Sequence, residues 1–252
     1  MGDAMKRLCT ICARGGSKGV KNKNVRLLNH KPLIAHSILQ ARESGLFNAI
    51  AVSSDSSEIL EAAREWGADH LVDRPSELAT DTAPKMPAIR HCAQTILDRT
   101  GMVFDTFVDL DATSPLRIAK DIEGAVALLE LENADNVITG SPARRSPYFN
   151  LVELDAQQRV HLSKPLVTPV IRRQDSPRCY DLNASIYVWN RPALFSDLAT
   201  VIGDNTLLYV MPQERSHDID SDLDFQFVEF LLSRQTNQRS TAMNSRPTHC
   251  HS

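Results

Sequence analysis

No apolar run in this chain approaches the roughly 18 residues that a membrane span needs. The start, MGDAMKRLCTICARGG, has no long apolar stretch leading into a cleavage site, which argues against secretion. An excess of one charge is lacking too. Lys and Arg number 28 against 31 Asp and Glu, and a net charge of −3 exerts no global pull towards nucleic acid or an anionic membrane. Five cysteines in 252 residues do not make a disulfide scaffold. Cys9 and Cys12 form a C-x-x-C, but in a strand they face opposite sides and no second pair follows, so they read as buried thiols and not as zinc ligands. The expectation is a soluble, cytosolic protein with neither nucleic acid nor membrane as partner. Its 42% hydrophobic content is enough to bury one sizeable core.

The periods alternate. Lys6 to Ala13 is a short apolar run of strand length that stops at Arg14-Gly15-Gly16. A polar, glycine-containing loop follows through Asn24. Pro32 then opens a helical pattern (Leu33, Ile34, Ile38, Ala41) that Gly45 closes. Ala49 to Ser53, a helix from Glu58 to Trp66, and Asp69 to Val72 complete strand, helix, strand, helix, strand in about 70 residues, which is the pattern of an open, mainly parallel α/β sheet. A helix is expected from Pro87 to Leu97, a strand from Thr106 to Leu110, a helix from Ile122 to Leu131 and a strand from Asn136 to Thr139. Residues 140–182, rich in proline and clustered arginine, break the pattern and read as a projecting arm with short strands at Phe149 to Leu154 and Val160 to His161. Ser185 to Trp189 and Leu207 to Met211 resume the sheet, and Asp222 to Leu232 is a last helix. The expected organisation is a core of residues 1–139 and 184–233, an arm of 140–183, and a disordered polar tail, 234–252.

Two motifs carry chemistry. RGGSKGVKNKN, residues 14–24, lies between the first strand and the first helix. Its glycines let backbone N–H groups approach an anion, and Arg14, Lys18, Lys21 and Lys23 surround them with charge. It matches neither G-x-G-x-x-G nor G-x-x-x-x-G-K-[ST], which argues against an NAD dehydrogenase and a P-loop ATPase. A solvated basic turn is the plain alternative. Position at the carboxyl end of the first strand favours a grip on a nucleotide polyphosphate. The second motif, SHDIDSDLD, residues 216–224, places Asp218 and Asp220 on one side of an extended segment. Two carboxylates on one edge suit Mg²⁺, which keeps waters and takes substrate phosphate oxygens. Ser221, Asp222 and Asp224 fit a helix start instead.

With ARGGSKGVKNKN (13–24), RPSELATDTA (74–83), ATSPLR (112–117) and RSHDIDSDLDF (215–225), the chain resembles the CMP-sialic acid synthetase family over about residues 6–232. RRQDSPRCYDLNASIY (172–187) is a looser fifth block. The resemblance implies a Rossmann-like nucleotidyltransferase fold with a mostly parallel sheet, a homodimer whose arm reaches the partner's site, and transfer of CMP from CTP to a nine-carbon sugar acid. It implies that Ala13, Arg14, Gly15, Gly16, Lys23, Asn24, Arg74 and Lys85 bind the nucleotide. Arg14 and Lys23 would hold the triphosphate, while Asn24 and Arg74 would contact the cytidine. Asp218 and Asp220 would bind Mg²⁺ and, with Arg14 and Lys23, form the catalytic set. Asp111, Arg173 and Asn183 would face the sugar.

Three positions depart from the family pattern. Asp111 stands for a glutamine, Lys85 for a serine and Asp181 for an arginine. Asp111 and Asp181 fall at sugar-facing positions, and a pocket built for one polar pattern rejects another strongly. A legionaminic-type sugar is therefore expected ahead of N-acetylneuraminate or the eight-carbon acid Kdo. A metal-dependent nucleotide-sugar glycosyltransferase is the rival from another class.

Overall fold

In the computed structural model, which describes residues 5–16, 19–168, 170–197 and 200–244 with side chains as far as Arg234, the apolar run near the amino end is β1 (Arg7–Cys12). The loop beyond it carries a two-residue ladder of β2 (Leu27–Leu28) and β3 (Lys31–Pro32). Helix α1 (Leu33–Ser44) ends at Gly45, whose φ of +63° is the left-handed turn that a residue without Cβ takes at least cost. There follow β4 (Ala49–Ser54), α2 (Ser57–Glu65), β5 (His70–Asp73), α3 (Lys85–Thr100), β6 (Thr106–Leu110) and α4 (Ala119–Glu132). The second half holds β7 (Asn136–Pro142), β8 (Val152–Leu154), β9 (Val160–Leu162), β10 (Tyr180–Asn190), the single turn α5 (Arg191–Leu194), β11 (Thr206–Val210) and α6 (Asp222–Asn244).

Seven strands form one sheet in the order β11-β7-β10-β6-β1-β4-β5. The paired strands run parallel except β10, which is antiparallel to both β6 and β7. This is the mostly parallel α/β architecture expected. Side chains alternate across it. Cys9 and Ile11 of β1 face α1, α2 and α4, packing with Ile38, Ala63 and Val126. Leu8, Ala51 and Phe107 face α3 and α5, packing with Ile89, Ile96 and Leu194. The C-x-x-C pair therefore divides as expected, with Cys9 buried and Cys12 half-buried.

The departures have local causes. β7 and β10 run further than their apolar patterns, because Tyr180–Leu182 pairs with Gly140–Pro142 beyond a register shift between Leu182 and Tyr187. What projects is correspondingly shorter than 140–183, and its β8–β9 ladder begins at Val152 where Phe149 was expected. The backbone of α6 runs on to Asn244, past the Leu232 at which the last helix was expected to end. Residues 233–244 contain no glycine or proline to stop a helix. Residues 245–252 lie outside the described residues. Among the described residues no helix is long and apolar enough to cross a membrane.

Candidate active site

A cavity of about 330 Å³ opens at the carboxyl ends of β1, β5 and β6. Open α/β sheets bind ligands at that end, where backbone groups and loops leave the sheet. Ala13, Arg14, Lys23, Asn24, Arg74 and Lys85 line it, and so do Asp111, Asp218 and Asp220. The amino-terminal basic loop and the carboxyl-terminal acidic pair, about 200 residues apart, thus meet at one hollow.

Apolar packing brings them together. Val20 of the basic loop and Leu28 of β2 share a buried cluster with Ile219, Phe225 and Val228 around the start of α6. Polar ties add direction. Lys23 donates to the Ile219 carbonyl and its Nζ lies 3.9 Å from Asp220 Oδ1. Arg26 pairs with Asp222 and lies over the Phe225 ring at 4.1 Å. Arg215 forks onto Asp121 with contacts of 2.8 and 2.9 Å, and the Ile219 N–H donates to the Thr113 carbonyl at 3.0 Å. Asp224 accepts from the N–H and hydroxyl of Ser221, the helix-start role expected of it.

Gly19 shows how close the approach is. A Cβ there would collide with the Asp220 carbonyl. Gly19→Ala is expected to force loop and acidic segment apart, to cut turnover at least tenfold and to lower the melting temperature, because Val20 and Ile219 beside the clash are buried in one cluster. Steady-state kinetics alongside a thermal melt check it, and unchanged kinetics would separate the loop from Asp220.

The cationic side is built in layers. The Gly15 N–H donates to Asp55 Oδ1 at 2.9 Å, fixing the loop's first turn. Arg14 extends to the Thr80 carbonyl (3.0 Å) and Asp81 (2.8 Å). Asn24 is buried, and its Nδ2 donates to the Arg14 carbonyl at 3.0 Å. Its Oδ1 is buried without a partner. Such an acceptor carries an unmet desolvation cost until a donor reaches it. Arg74 is buried and spends its guanidinium on Ser53, 2.7 Å to the carbonyl and 3.2 Å to the hydroxyl. Gly15 and Gly16 lie beside the cavity without lining it, Lys21 is exposed, and Lys18 lies outside the described residues.

The acidic side is crowded. Asp218 is raised to about 6, first by burial, then by the negative charges of Asp111 and Asp220. A Thr113 hydrogen bond and Lys23 oppose the rise. Lys85 lies 3.0 Å from Asp109 and 2.7 Å from Asp111. Burial works against its charge, but the two carboxylates outweigh it and raise the ammonium well above its ordinary value. Burial also opposes ionisation of Asp111. The Lys85 ammonium, with two hydrogen bonds from Thr113, overcomes that and holds the carboxyl well below its ordinary range.

Asp109 and Arg117, both buried, escaped the sequence reading. Asp109 is one polar residue inside the strand TFVDL, and its cation lies 24 residues away in the chain. Its only sequence signal is that interruption of an apolar run. Arg117 donates to the Asp111 carbonyl at 2.7 Å and the Ser185 carbonyl at 3.1 Å from behind the cavity wall.

Two sugar-facing expectations are not brought to this cavity. Asn183 is buried beneath it, accepting from Thr139 at 2.7 Å and donating to Ser216 at 3.0 Å. Arg173 donates to the Ala143 carbonyl beside a separate hollow of about 570 Å³ near the base of the arm. Asp181 is exposed and accepts from the Arg144 N–H at 3.1 Å.

Residues 8–199 match the cytidylyltransferase family model. The post-translational flagellin modification protein B of Campylobacter coli is 45% identical over 231 residues, covering 92% of this chain and 97% of its own. The CMP-N,N'-diacetyllegionaminic acid synthase of Campylobacter jejuni serotype O:2 is 46% identical over 226 residues, covering 90% and 94%. A solved CMP:2-keto-3-deoxy-manno-octonic acid synthetase complexed with CTP superposes with a TM-score of 0.67 over 91% of this chain and 99% of that one. At 16% identity it shows likeness of fold.

Proposed function

Because the chain belongs to the cytidylyltransferase family, we propose that it transfers CMP from CTP to the anomeric hydroxyl of a legionaminic-type nonulosonic acid and releases pyrophosphate. The observation that carries this reading is the meeting of Arg14, Lys23, Asp218 and Asp220 at one cavity. The near-full-length relative named as a CMP-N,N'-diacetyllegionaminic acid synthase supports the sugar class.

The chemistry brings an anionic sugar to an anionic triphosphate. Positioning and charge stabilisation do most of the work in phosphoryl-type transfer. Arg14 and Lys23 hold the triphosphate and stabilise charge gathering on the leaving pyrophosphate. Asn24 and Arg74 contact the cytidine, and the unpaired Asn24 Oδ1 offers an acceptor for the base's amino group. Asp218 and Asp220 fit a divalent cation. Asp220 is exposed on the cavity rim, and burial, with the negative charges of Asp111 and Asp220 added to it, raises Asp218 to about 6. No group of three or more His, Cys, Asp or Glu side chains is arranged for a metal among the described residues. A two-carboxylate site is the form Mg²⁺ takes when waters and phosphate oxygens complete its shell. When bound there, Mg²⁺ supplies charge neutralisation at the α-phosphate and acidifies the attacking hydroxyl.

The test is pyrophosphate release from CTP and Mg²⁺ across a panel of sugar acids. The highest kcat/KM is expected with N,N'-diacetyllegionaminic acid, and a clear preference for N-acetylneuraminate or Kdo would overturn the sugar assignment. The enzyme works as a homodimer in this reading. Support comes from the arm, whose Val152, Leu154, Val160 and Leu162 are all exposed. Sedimentation is expected to return a dimer, and a monomer at working concentration would remove that element.

A further inference from the structure

The cavity wall around Lys85 holds four charges whose purpose the transfer chemistry leaves unassigned. Lys85 Nζ lies 3.0 Å from Asp109 Oδ2, 2.7 Å from Asp111 Oδ2 and 5.2 Å from the centre of the Tyr187 ring. Asp109 is fully buried and takes the Thr10 hydroxyl on its other oxygen at 2.9 Å. Arg117 backs the wall through the Asp111 carbonyl. Two cations and two carboxylates cancel, so an approaching sugar carboxylate meets a wall of no net charge.

Asp111 can then be counted atom by atom. A carboxylate offers about four acceptor sites. Oδ1 accepts from the Thr113 N–H at 3.0 Å and the Thr113 hydroxyl at 2.8 Å, and Oδ2 accepts from Lys85. One site on Oδ2 remains, on a side chain that lines the cavity and is 21% exposed. Lys85, unlike Arg14 and Lys23, is already engaged by two carboxylates.

We propose that Lys85 is a positioning residue which, braced by Asp109, pins the Asp111 carboxylate so that its one remaining acceptor site selects sugar acids presenting an N–H or O–H donor at that point. This rests on the cytidylyltransferase reading above. It removes Lys85 from the nucleotide-binding set and gives it an effect on the sugar alone. The selection is strict in kind, because a substrate offering an acceptor there leaves two acceptors face to face, and one offering nothing leaves a desolvated carboxylate oxygen unpaired.

The experiment compares wild type with three variants, using kcat and KM for CTP and for two sugars: the preferred acid and an analogue lacking one acetamido N–H. In Asp111→Asn the amide oxygen keeps the two Thr113 donors, so an NH₂ replaces Oδ2 and removes both the free acceptor site and the acceptor that Lys85 uses. Lys85 keeps its Asp109 contact, and the charge balance moves by one. We expect kcat/KM for the preferred sugar to fall 10- to 100-fold through KM, the analogue to lose less than threefold, and KM for CTP to stay within twofold. Lys85→Met is expected to erode the same sugar preference with Asp111 untouched, and Lys85→Arg to restore it. Should Lys85→Met fail to fold, Asp111→Asn decides alone. A rise in KM for CTP with unchanged sugar preference would overturn the proposal and return Lys85 to the nucleotide. Wild type inactive with every nonulosonic acid would instead overturn the functional reading on which it rests.

Discussion

Asp220→Ala is expected to lower kcat by several orders of magnitude and to leave the fold standing. The two effects separate because of where the side chain sits. Its carboxylate is 84% exposed and its ion pair to Lys23 spans 3.9 Å. An exposed pair of that length contributes between nothing and about 1 kcal/mol, so the apo protein should melt within a few degrees of wild type. Asp220 is nevertheless one of two carboxylates offered to a cation at the triphosphate, and charge stabilisation at such a centre is realised chiefly in the transition state. Losing it removes a ligand and the local negative charge that draws the cation in. The check is a Mg²⁺ titration of pyrophosphate release beside a thermal melt. Near-normal rates at saturating Mg²⁺ would remove Asp220 from the metal site.

Loss of Asp218 should be equally severe for turnover, yet the two aspartates were legible to different depths. Both stood out as D-x-D in the sequence, but nothing in that spacing said that one would be open on the rim and the other pressed among carboxylates. That difference comes from burial and from Asp111, brought in from the end of β6 over a hundred residues away. Elements bounded by glycine and by clean period were legible, α1 with Gly45 among them. The length of β10 was not, because Tyr180–Leu182 becomes strand by pairing with β7 and not by its own pattern. The antiparallel direction of β10 is likewise a product of where the arm returns the chain. The basic loop was legible by composition. Its closure onto α6 depends on Val20 and Leu28 finding Ile219 and Phe225, ordinary apolar residues with no motif of their own. The Lys85–Asp109–Asp111 contacts were hidden for a similar reason, since a cation at the first residue of α3 meets the end of β6 only once the sheet has formed.

Asp218→Asn is expected to abolish turnover and to stabilise the metal-free protein at neutral pH. In the fold this carboxyl is raised to about 6 from an ordinary 3.8. Below the unfolded value both states are protonated and the group contributes nothing. Between that value and about 6 the unfolded chain releases its proton while the folded one retains it, so stability falls as pH rises. Above about 6 the full cost is present, a shift of about 2 units corresponding to roughly 1–3 kcal/mol. Asparagine does not ionise and carries none of this, while its side-chain oxygen can keep the Ile219 N–H that Asp218 Oδ1 accepts at 3.0 Å. The variant should therefore melt several degrees higher than wild type at pH 8 with chelator present, a gap that narrows as the pH is lowered towards 4.5. Excess Mg²⁺ should close it from the other side, by stabilising wild type through binding and leaving the variant unmoved. A gap of constant size across that pH range, or a variant less stable at pH 8, would mean that Asp218 bears no such strain.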